Sequence, residues 1–523
     1  MILRETYLPF WEKRGDKMAT ESQLHELPEV KPVPSRFRNA LGKYRITIDK
    51  ACNNCGLCAK LCPYGVYKAG SKRPRIAAEQ FCIGFPCSAN DFYCVNRCPE
   101  KAIQLNLNPS FEILGDRRWP AELLASTWHM AETGKIPHQG LNYKTGDSGG
   151  GFDKLRFIFP KGNGLDIRDE EISTAIELNR SGDSRPSVVI PVPFYLGGMS
   201  FGSVSIITML SRVRAATALK TFCCTGEGGY PEELIPYDDH IITQVATGLF
   251  GVREETIKRV RIVEFKYAQG AKPGLGGHLL GDKVTPSVAR IREAVAGNAL
   301  FSPFPFHSVY SVEDHKKHVD WIKETNHRAI VSVKVSTPTD VDMVAVGSYY
   351  AGAHIVQLDG SYGGTGAAPD IAKKNIAMPV EYAIPKVHKF LLEEGIRDKL
   401  TIIASGGIRS AYDMAKAIAL GANGVCLGTA DLVALECIRC HHCESGRGCA
   451  RGIATTDEEL TNLMDLNWAT QRIINMYLTW QRQLVSILKR MNMKSVTELV
   501  GRFDVIAHLD YIKQEEIEGD LDL

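Results

Sequence analysis

The sequence predicts an α/β protein whose largest unit is a parallel (β/α)8 barrel, with a small cysteine-rich α+β module ahead of it. Two observations carry this. From Pro186 onward, short β-branched runs alternate with helical stretches, and glycine-rich turns follow the runs. Ahead of that region, eight cysteines fall between Cys52 and Cys98.

The runs are SVVIPVPFYLGGMSFGS, TFCCTGEGG, RIVEFKYAQGAKPG, AIVSVKVS, AHIVQLDGSYGGTG, LTIIASGGI and GVCLGT, seven in all. An α/β barrel takes about 250 residues and eight strands, so one strand is less obvious, and a doubly wound sheet is the alternative. With 523 residues the chain exceeds one barrel and predicts further folding units. The expected organisation is an extension over 1–42, the cysteine module over 43–107 and a connector over 108–185. The barrel follows over 186–436, a cysteine segment over 437–455 and a helical segment over 456–523.

Composition narrows the class. Hydrophobic residues make up 44%, enough for a sizeable core, and the formal net charge of +2 argues against nucleic acid as the main partner. No run of about 20 apolar residues predicts a membrane span. The opening MILRETYLPFWEKRGDKMATESQ lacks the apolar centre of a signal peptide, so a cytoplasmic protein is expected. In such a compartment disulfides are disfavoured, and fifteen cysteines therefore point to metal or redox chemistry. Cys223, Cys224 and Cys426 lie in apolar β contexts, where plain burial is the reading.

CNNCGLCAKLCP has the spacing C-x2-C-x2-C-x3-C-P from Cys52 to Pro63, the bacterial ferredoxin run. In that run the fourth cysteine crosses to a second cluster. CIGFPCSANDFYCVNRCP follows as a stretched second half that keeps the final C-x3-C-P. The crossing rule assigns Cys52, Cys55, Cys58 and Cys98 to one 4Fe–4S cluster, and Cys82, Cys87, Cys94 and Cys62 to another. The alternative is that the irregular half has lost its cluster. The module thus resembles a bacterial-type two-cluster ferredoxin domain, a device for passing electrons.

The connector carries no motif of its own. TGDSGGGFDKL reads as a flexible loop, and LLASTWHMAETGKIP looks helical.

In barrels the chemistry lies at the carboxyl ends of the strands, where the glycine-rich segments sit. ASGGIRSAYDMAKAIALGA places Gly406 and Gly407 before a helix with Arg409 nearby, and VCLGT supplies Gly428 and Thr429. These suit a phosphate held by backbone N–H groups. One-electron carriers in the same chain need a partner able to pass two electrons to substrate, and FMN does that.

GGMSFGSVS, TGEGG, QVATGLFGV, KYAQGAKPGLGGHLLGDKV, FSPFPFHSVYSVEDHKKHV, VSVKV, GGTGAAP and ASGGIRSAYDMAKAIALGA occur in this order. Together they resemble the FMN-binding synthase domain of glutamate synthases, over roughly Pro186 to Thr455. The resemblance implies an FMN-binding (β/α)8 TIM barrel that reductively aminates 2-oxoglutarate to L-glutamate. It implies flavin contacts from Met199, Ser200 and Gln244, and a cation, Lys334, that offsets charge on the reduced ring. Gly364, Thr365, Gly366, Gly406, Gly407, Gly428 and Thr429, with Arg409, are expected on the phosphate and ribityl side. Gln269 and Lys272 are expected to bind 2-oxoglutarate, although Lys272 also reads as a solvated loop lysine. Glu227 either closes the same pocket or caps its loop.

Two departures stand out. Where bacterial relatives have glutamine after GG, this chain has His278, which reads either as a substrate-facing group or as a buried core histidine. A ferredoxin-like module stands at the front instead of the family's glutaminase domain, and the long carboxyl-terminal domain is not seen. The compact form seen among archaea and anaerobic bacteria is the nearest resemblance. Ammonia is then expected from solution or from a separate glutaminase subunit, and an oligomer or hetero-complex is expected. The electron donor is expected to be ferredoxin or an NAD(P)H-oxidising flavoprotein subunit.

CIRCHHCESGRGCARGIAT follows the barrel's last strand. The family carries a 3Fe–4S cluster there, and Cys437, Cys443 and Cys449 track its three ligands. Cys440 is extra and is expected to complete a 4Fe–4S cluster, with zinc as the alternative metal. LTNLMDLNWATQRIINMYLTWQRQLVSILKRMNM has apolar residues at helical spacing and is expected to pack as a helix pair over the barrel. Two rival functions remain: an FMN and iron–sulfur oxidoreductase acting on another 2-oxo acid or an amine, as in N-methylglutamate formation, and a non-catalytic electron-relay subunit.

Overall fold

The structure is a computed structural model that describes residues 27–37, 41–68, 74–138, 151–162, 164–365, 368, 370–511 and 520–521. Eight parallel strands close into a barrel: β1 (Phe194–Leu196), β2 (Cys223–Cys224), β3 (Ile241–Ala246), β4 (Ile262–Lys266), β5 (Ile330–Ser336), β6 (Ile355–Asp359), β7 (Thr401–Ser405) and β8 (Gly424–Leu427). Each pairs with its neighbour in sequence, and β8 returns to β1 through Phe194↔Val425. The doubly wound alternative is thereby excluded.

The strands read as apolar runs because both of their faces are covered. All seven residues of β5 are buried, its polar Ser332, Lys334 and Ser336 included. Helices pack outside: α2 (Ile206–Ala218) follows β1, α3 (Val380–Glu393) follows β6 and α4 (Ala411–Ala419) follows β7. Ser205 and Ser410 cap the first turns of α2 and α4, accepting from the Thr208 and Asp413 N–H groups.

The strand that the sequence hid is β3, IITQVA. It is preceded by a run of 3-10 turns over Glu232–His240 in place of an α-helix, so the strand–helix alternation breaks just there. Between β4 and β5 the chain makes an excursion, 267–329, whose short hairpin pairs His278 with Phe301.

The cysteine module folds around its own small core of Ile46, Val66, Tyr67 and Ile103. Its strand Tyr44–Ile48 pairs antiparallel with Ile103–Leu107, and helices Leu57–Leu61 and Cys94–Arg97 carry cysteines between them. The connector supplies α1 (Ala121–Thr133), ended by Gly134 in the left-handed conformation at φ 61°. Of the glycine-rich stretch 145–155, residues 145–150 lie outside the described residues.

At the carboxyl end the expected helix pair is one long helix, α5 (Leu466–Arg490), of 25 residues. Asp465 caps it by accepting from Trp468 N–H, which confines the preceding Leu460–Met464 to a short turn of helix and its exit. Trp480, Tyr477 and Ile473 are buried against the barrel's outer layer and α1.

Candidate active site

The carboxyl ends of the strands open into one cavity of about 980 Å³. Every strand end except that of β2 contributes a lining residue from within or just beyond it, and the turn after β2 adds Gly226 and Glu227. A second wall is the 437–451 segment, which leaves the barrel after β8.

The floor is a buried polar network. Glu264, 1% exposed, accepts from the Gln244 amide at 2.7 Å and from the Ser332 hydroxyl at 3.0 Å. Asp359 accepts from Gly270 N–H at 3.0 Å and from the Ser405 hydroxyl at 2.6 Å. Lys334 reaches Asp359 at 3.4 Å. Burial disfavours the Lys334 charge, but the Asp359 and Glu264 carboxylates outweigh it and hold the ammonium well above the ordinary lysine range. Burial is also the main reason the Glu264 carboxyl is shifted upward.

One side wall gathers cations. Lys266 Nζ lies 3.1 Å from Glu227, and Lys272 is 5% exposed within the same wall. Arg292 donates to the Ser200 hydroxyl and to the Phe201 carbonyl, each at 2.9 Å. Burial opposes ionisation of Glu227, yet Lys266 and Lys272 override it and keep the carboxyl below its ordinary range. Lys272 is shifted down by burial and by Lys266. Three cations thus face Glu227, and Glu444, which also acts on Lys272, is paired with Lys283, so this wall is net positive.

The opposite side is bare backbone. Gly406 and Gly407 have φ of 90° and 104°, and a Cβ on Gly406 would stand 2.5 Å from the Gly360 carbonyl oxygen. Only glycine fits there. The chain then turns into α4, and Gly428 and Thr429 line the same cavity at the start of the next helix.

The sequence of residues 153–494 matches the family model described as a conserved region in glutamate synthase. The archaeal-type glutamate synthase (NADPH) of Thermotoga maritima is 35% identical over 484 residues, covering 88% of this chain and 93% of the relative. The archaeal glutamate synthase (NADPH) of Methanocaldococcus jannaschii is 34% identical over 511 residues, covering 91% and 97%. The ferredoxin-dependent glutamate synthase of Cyanidium caldarium is 36% identical over 267 residues, 51% of this chain and 17% of that one.

The chain belongs to the glutamate synthase family.

It is accordingly an oxidoreductase of the class acting on CH–NH2 donors. In this member of the family the expected site residues converge. Met199, Ser200, Glu227, Gln244, Gln269, Lys272, His278, Lys334, Gly364, Thr365, Gly406, Gly407, Arg409, Gly428 and Thr429 all line the barrel-mouth cavity, while Gly366 lies outside the described residues. Lys272 is enclosed, so the solvated-loop reading fails. His278 is half-buried in the wall and stacks on Phe301, with ring centroids 4.5 Å apart and planes at 14°, so it is no core histidine. Arg409 lines the cavity beside Gly406 and Gly407 but is also tied to two carboxylates. Its guanidinium is engaged by Asp153 at 2.7 Å and Asp413 at 3.1 Å, where it braces the 406–413 turn.

Sequence reasoning missed Lys266, Arg292, Glu264 and Asp359. Glu264 and Lys266 had a signal, charged residues alternating within the apolar strand RIVEFK. Arg292 had none, since it comes from the β4–β5 excursion and meets Ser200 only in the fold.

The cysteines assemble in three places. Cys52, Cys55, Cys58 and Cys98 line one small cavity of the module, which Cys94 also borders; Cys62, Cys82, Cys87 and Cys94 line a second. Cys437, Cys440, Cys443 and Cys449 line the barrel mouth itself. Among the described residues no group of three or more His, Cys, Asp or Glu is placed to hold a single metal ion. Lys283, 5% exposed and at the end of the loop that carries His278, donates to the Cys443 carbonyl at 2.6 Å and pairs with Glu444 at 3.2 Å. Cys223, Cys224 and Cys426 are buried. Among the described residues no helix is long and apolar enough to cross a membrane.

Proposed function

We propose that this chain is the synthase component of a glutamate synthase, converting 2-oxoglutarate and ammonia to L-glutamate with electrons passed inward through iron–sulfur clusters. The carrying observation is the net-positive wall of Lys266, Lys272 and Arg292 around Glu227, which suits a dicarboxylate. FMN fits the rest of the cavity, with the Gly406–Gly407 and Gly428–Thr429 turns as its phosphate cradle and Lys334 as the buried cation beside the ring. When bound, FMN supplies the hydride that turns the C=N bond of 2-iminoglutarate into the C–N bond of the amine.

The chain's own groups do the rest. Lys272 and Gln269 hold substrate carboxylates, and Lys266 fixes the Glu227 side chain so that it does not claim Lys272 for itself. His278, anchored by its stack on Phe301, presents ring nitrogens for a carboxylate or for a proton at the amine. The Lys334–Asp359–Ser405 chain keeps the floor polar and fully paired.

In the module, the two cysteine sets suit two 4Fe–4S clusters, and apolar walls such as Ile48, Ile83 and Ile103 exclude water from them. Cys437, Cys443, Cys449 and Cys440 hold a third, of the 4Fe–4S type, or 3Fe–4S should Cys440 stay out. Its place on the wall of the flavin cavity suits a final one-electron carrier. Electrons come from ferredoxin or an NAD(P)H-oxidising flavoprotein subunit, and ammonia from solution or a separate glutaminase subunit, in a hetero-complex of the cytoplasm.

The test is glutamate formation by the cofactor-loaded protein from 2-oxoglutarate, ammonia and reduced ferredoxin, beside a titration of its flavin spectrum with 2-oxoglutarate. Product and a spectral shift together support the reading. A shift without product for any amine donor, or no shift at all, defeats it. The histidine at 278 favours one second reading, a different 2-oxo acid or methylamine as co-substrate, and the same assay with those compounds separates the two.

A further inference from the structure

The opposite end of the barrel holds a second cavity, and its inner walls are built for an anion. Its volume is about 530 Å³. Arg397 and Asp398 come just before β7, and Asn423 just before β8, so the cavity lies where the strands begin. Thr401, at the head of β7, donates its hydroxyl to the Leu178 carbonyl at 3.2 Å and brings the neighbouring Arg180 into the wall. The flavin cradle follows the same two strands at their other ends. The two cavities are therefore separated by the height of the barrel.

Two arginines with different roles meet here. Arg397, 7% exposed, is fixed by donating to the Gly421 carbonyl at 2.7 Å, to His388 Nδ1 at 3.0 Å and to the Leu400 carbonyl at 3.3 Å. Arg180 is different: its Nη1 is shut off from solvent and has no hydrogen-bond partner among the described residues. A buried donor left unpaired is costly, and the rest of the half-buried guanidinium lines the cavity with no hydrogen-bond acceptor on it among the described residues. Asn423 adds a third donor, since its carbonyl oxygen is taken by Ile402 N–H at 2.9 Å and its amide nitrogen is left for the cavity. Burial and the neighbouring Arg180 charge push Arg397 down to about 10, which still leaves it cationic at neutral pH.

Two carboxylates also border the cavity. Glu177 and Asp398 are both exposed, and Glu177 accepts from the Ser187 hydroxyl at 2.7 Å. Both charges reach Arg180 and help to keep it cationic against burial, without hydrogen-bonding it. Ile176, Leu392 and Val500 give the remaining wall an apolar surface.

We propose that this cavity binds the oxyanion group of a small metabolite, a phosphate or a carboxylate, between Arg180 and Arg397 with Asn423 as third donor. Paired guanidinium groups suit the two oxygens of either anion, and the apolar wall accepts the rest of the molecule.

The test uses the cofactor-loaded protein, whose flavin site is filled, with inorganic phosphate and butyrate as separate probes at constant ionic strength. Calorimetry is expected to give saturable one-site binding of at least one probe, weakened about tenfold or more in Arg180→Gln, as loss of a charged hydrogen bond implies. Tighter binding of phosphate identifies a phosphate ligand, and tighter binding of butyrate a carboxylate with an apolar stem. Flavin content shows that the variant is folded, and Val500→Trp, which enlarges a side chain of the cavity wall, is expected to weaken binding as well. Absence of saturable binding of both probes to the unmodified protein overturns the proposal, as does binding that neither substitution weakens.

Discussion

Lys266 and Lys334 stand opposite each other in register on β4 and β5, and each is neutralised by a different carboxylate. Lys266 pairs with Glu227 at 3.1 Å on the wall, and Lys334 with Asp359 at 3.4 Å on the floor. Two lysines on adjacent strands repel, so this pairing needs both counterions. Their surroundings differ. Lys334 also faces Glu264, which no other cation offsets as strongly.

Lys334→Met therefore leaves Glu264 and Asp359 buried without their cation, and a loss of about 3–5 kcal/mol is expected. Lys266→Met frees only Glu227, which keeps Lys272 nearby, and a smaller loss of about 1–3 kcal/mol is expected. Urea unfolding of the two variants side by side checks this. Equal losses contradict it.

Lys272→Met removes a cation from the substrate wall without opening the floor. Binding of 2-oxoglutarate is expected to weaken by roughly 10- to 100-fold, as for a charged hydrogen bond of about 1.5–3 kcal/mol. Flavin content should not change. A flavin-monitored titration that gives an unaltered Kd shows that Lys272 does not touch the substrate.

Gly406→Ala places a methyl group 2.5 Å from the Gly360 carbonyl, at a φ of 90°. A cost of about 1–3 kcal/mol is expected, with a lower flavin content after purification. Gly395→Ala, also at positive φ but with open space around its Cβ, controls for backbone strain and is expected to retain the flavin.

Cys440 is exposed, while Cys437, Cys443 and Cys449 are half-buried around it. As the fourth ligand, Cys440 makes the oxidised wild-type centre EPR-silent. Cys440→Ser is then expected to bring up a 3Fe–4S signal. The same signal already present in the wild type, and unaltered by the substitution, shows that Cys440 is not a ligand.

Four buried histidines make stability acid-sensitive. His129, His315, His354 and His388 are each shifted from 6.5 to about 4, burial being the first cause. His354 shows the neutral form in its bonds: Nδ1 accepts from Val331 N–H at 2.9 Å, and Nε2 donates to Asp183 at 2.9 Å. A depressed histidine contributes stability that is complete above 6.5 and is lost as pH falls towards 4. Glu132 and Glu381 oppose this, because burial raises each to about 7 and the native state takes up their protons first. Between about pH 5.5 and 4.5 the unfolded chain binds about two more protons than the native chain. Stability should therefore fall by about 2.7 kcal/mol per pH unit on these six groups. Chemical unfolding across that window measures it. His354→Gln should flatten the slope by about one proton.

The barrel was legible because seven of its strands end in glycine turns that an active site needs. The eighth, β3, was hidden because 3-10 turns replaced the helix before it. The pocket residues were legible as glycine and amide patterns at strand ends. The electrostatics were not: the sequence near Arg409 gives no hint of its ion pair with Asp153, some 250 positions away. Arg292 likewise joins Ser200 across 92 positions, a contact that no periodicity encodes. The helix pair expected near the end failed for a local reason, since Asp465 starts a single helix that nothing interrupts until Met491.

The bond from Lys283 to the Cys443 carbonyl makes one mechanical unit of two segments 160 positions apart. The loop presenting His278 to the cavity ends on that lysine, and the cysteine segment forms the facing wall. A ligand that binds by shifting the loop drags Cys443 with it. With the proposed cluster on that segment, thermodynamic reciprocity ties the two events: whatever the occupied loop does to the cluster's redox midpoint, reduction of the cluster does to the loop's affinity in the same ratio.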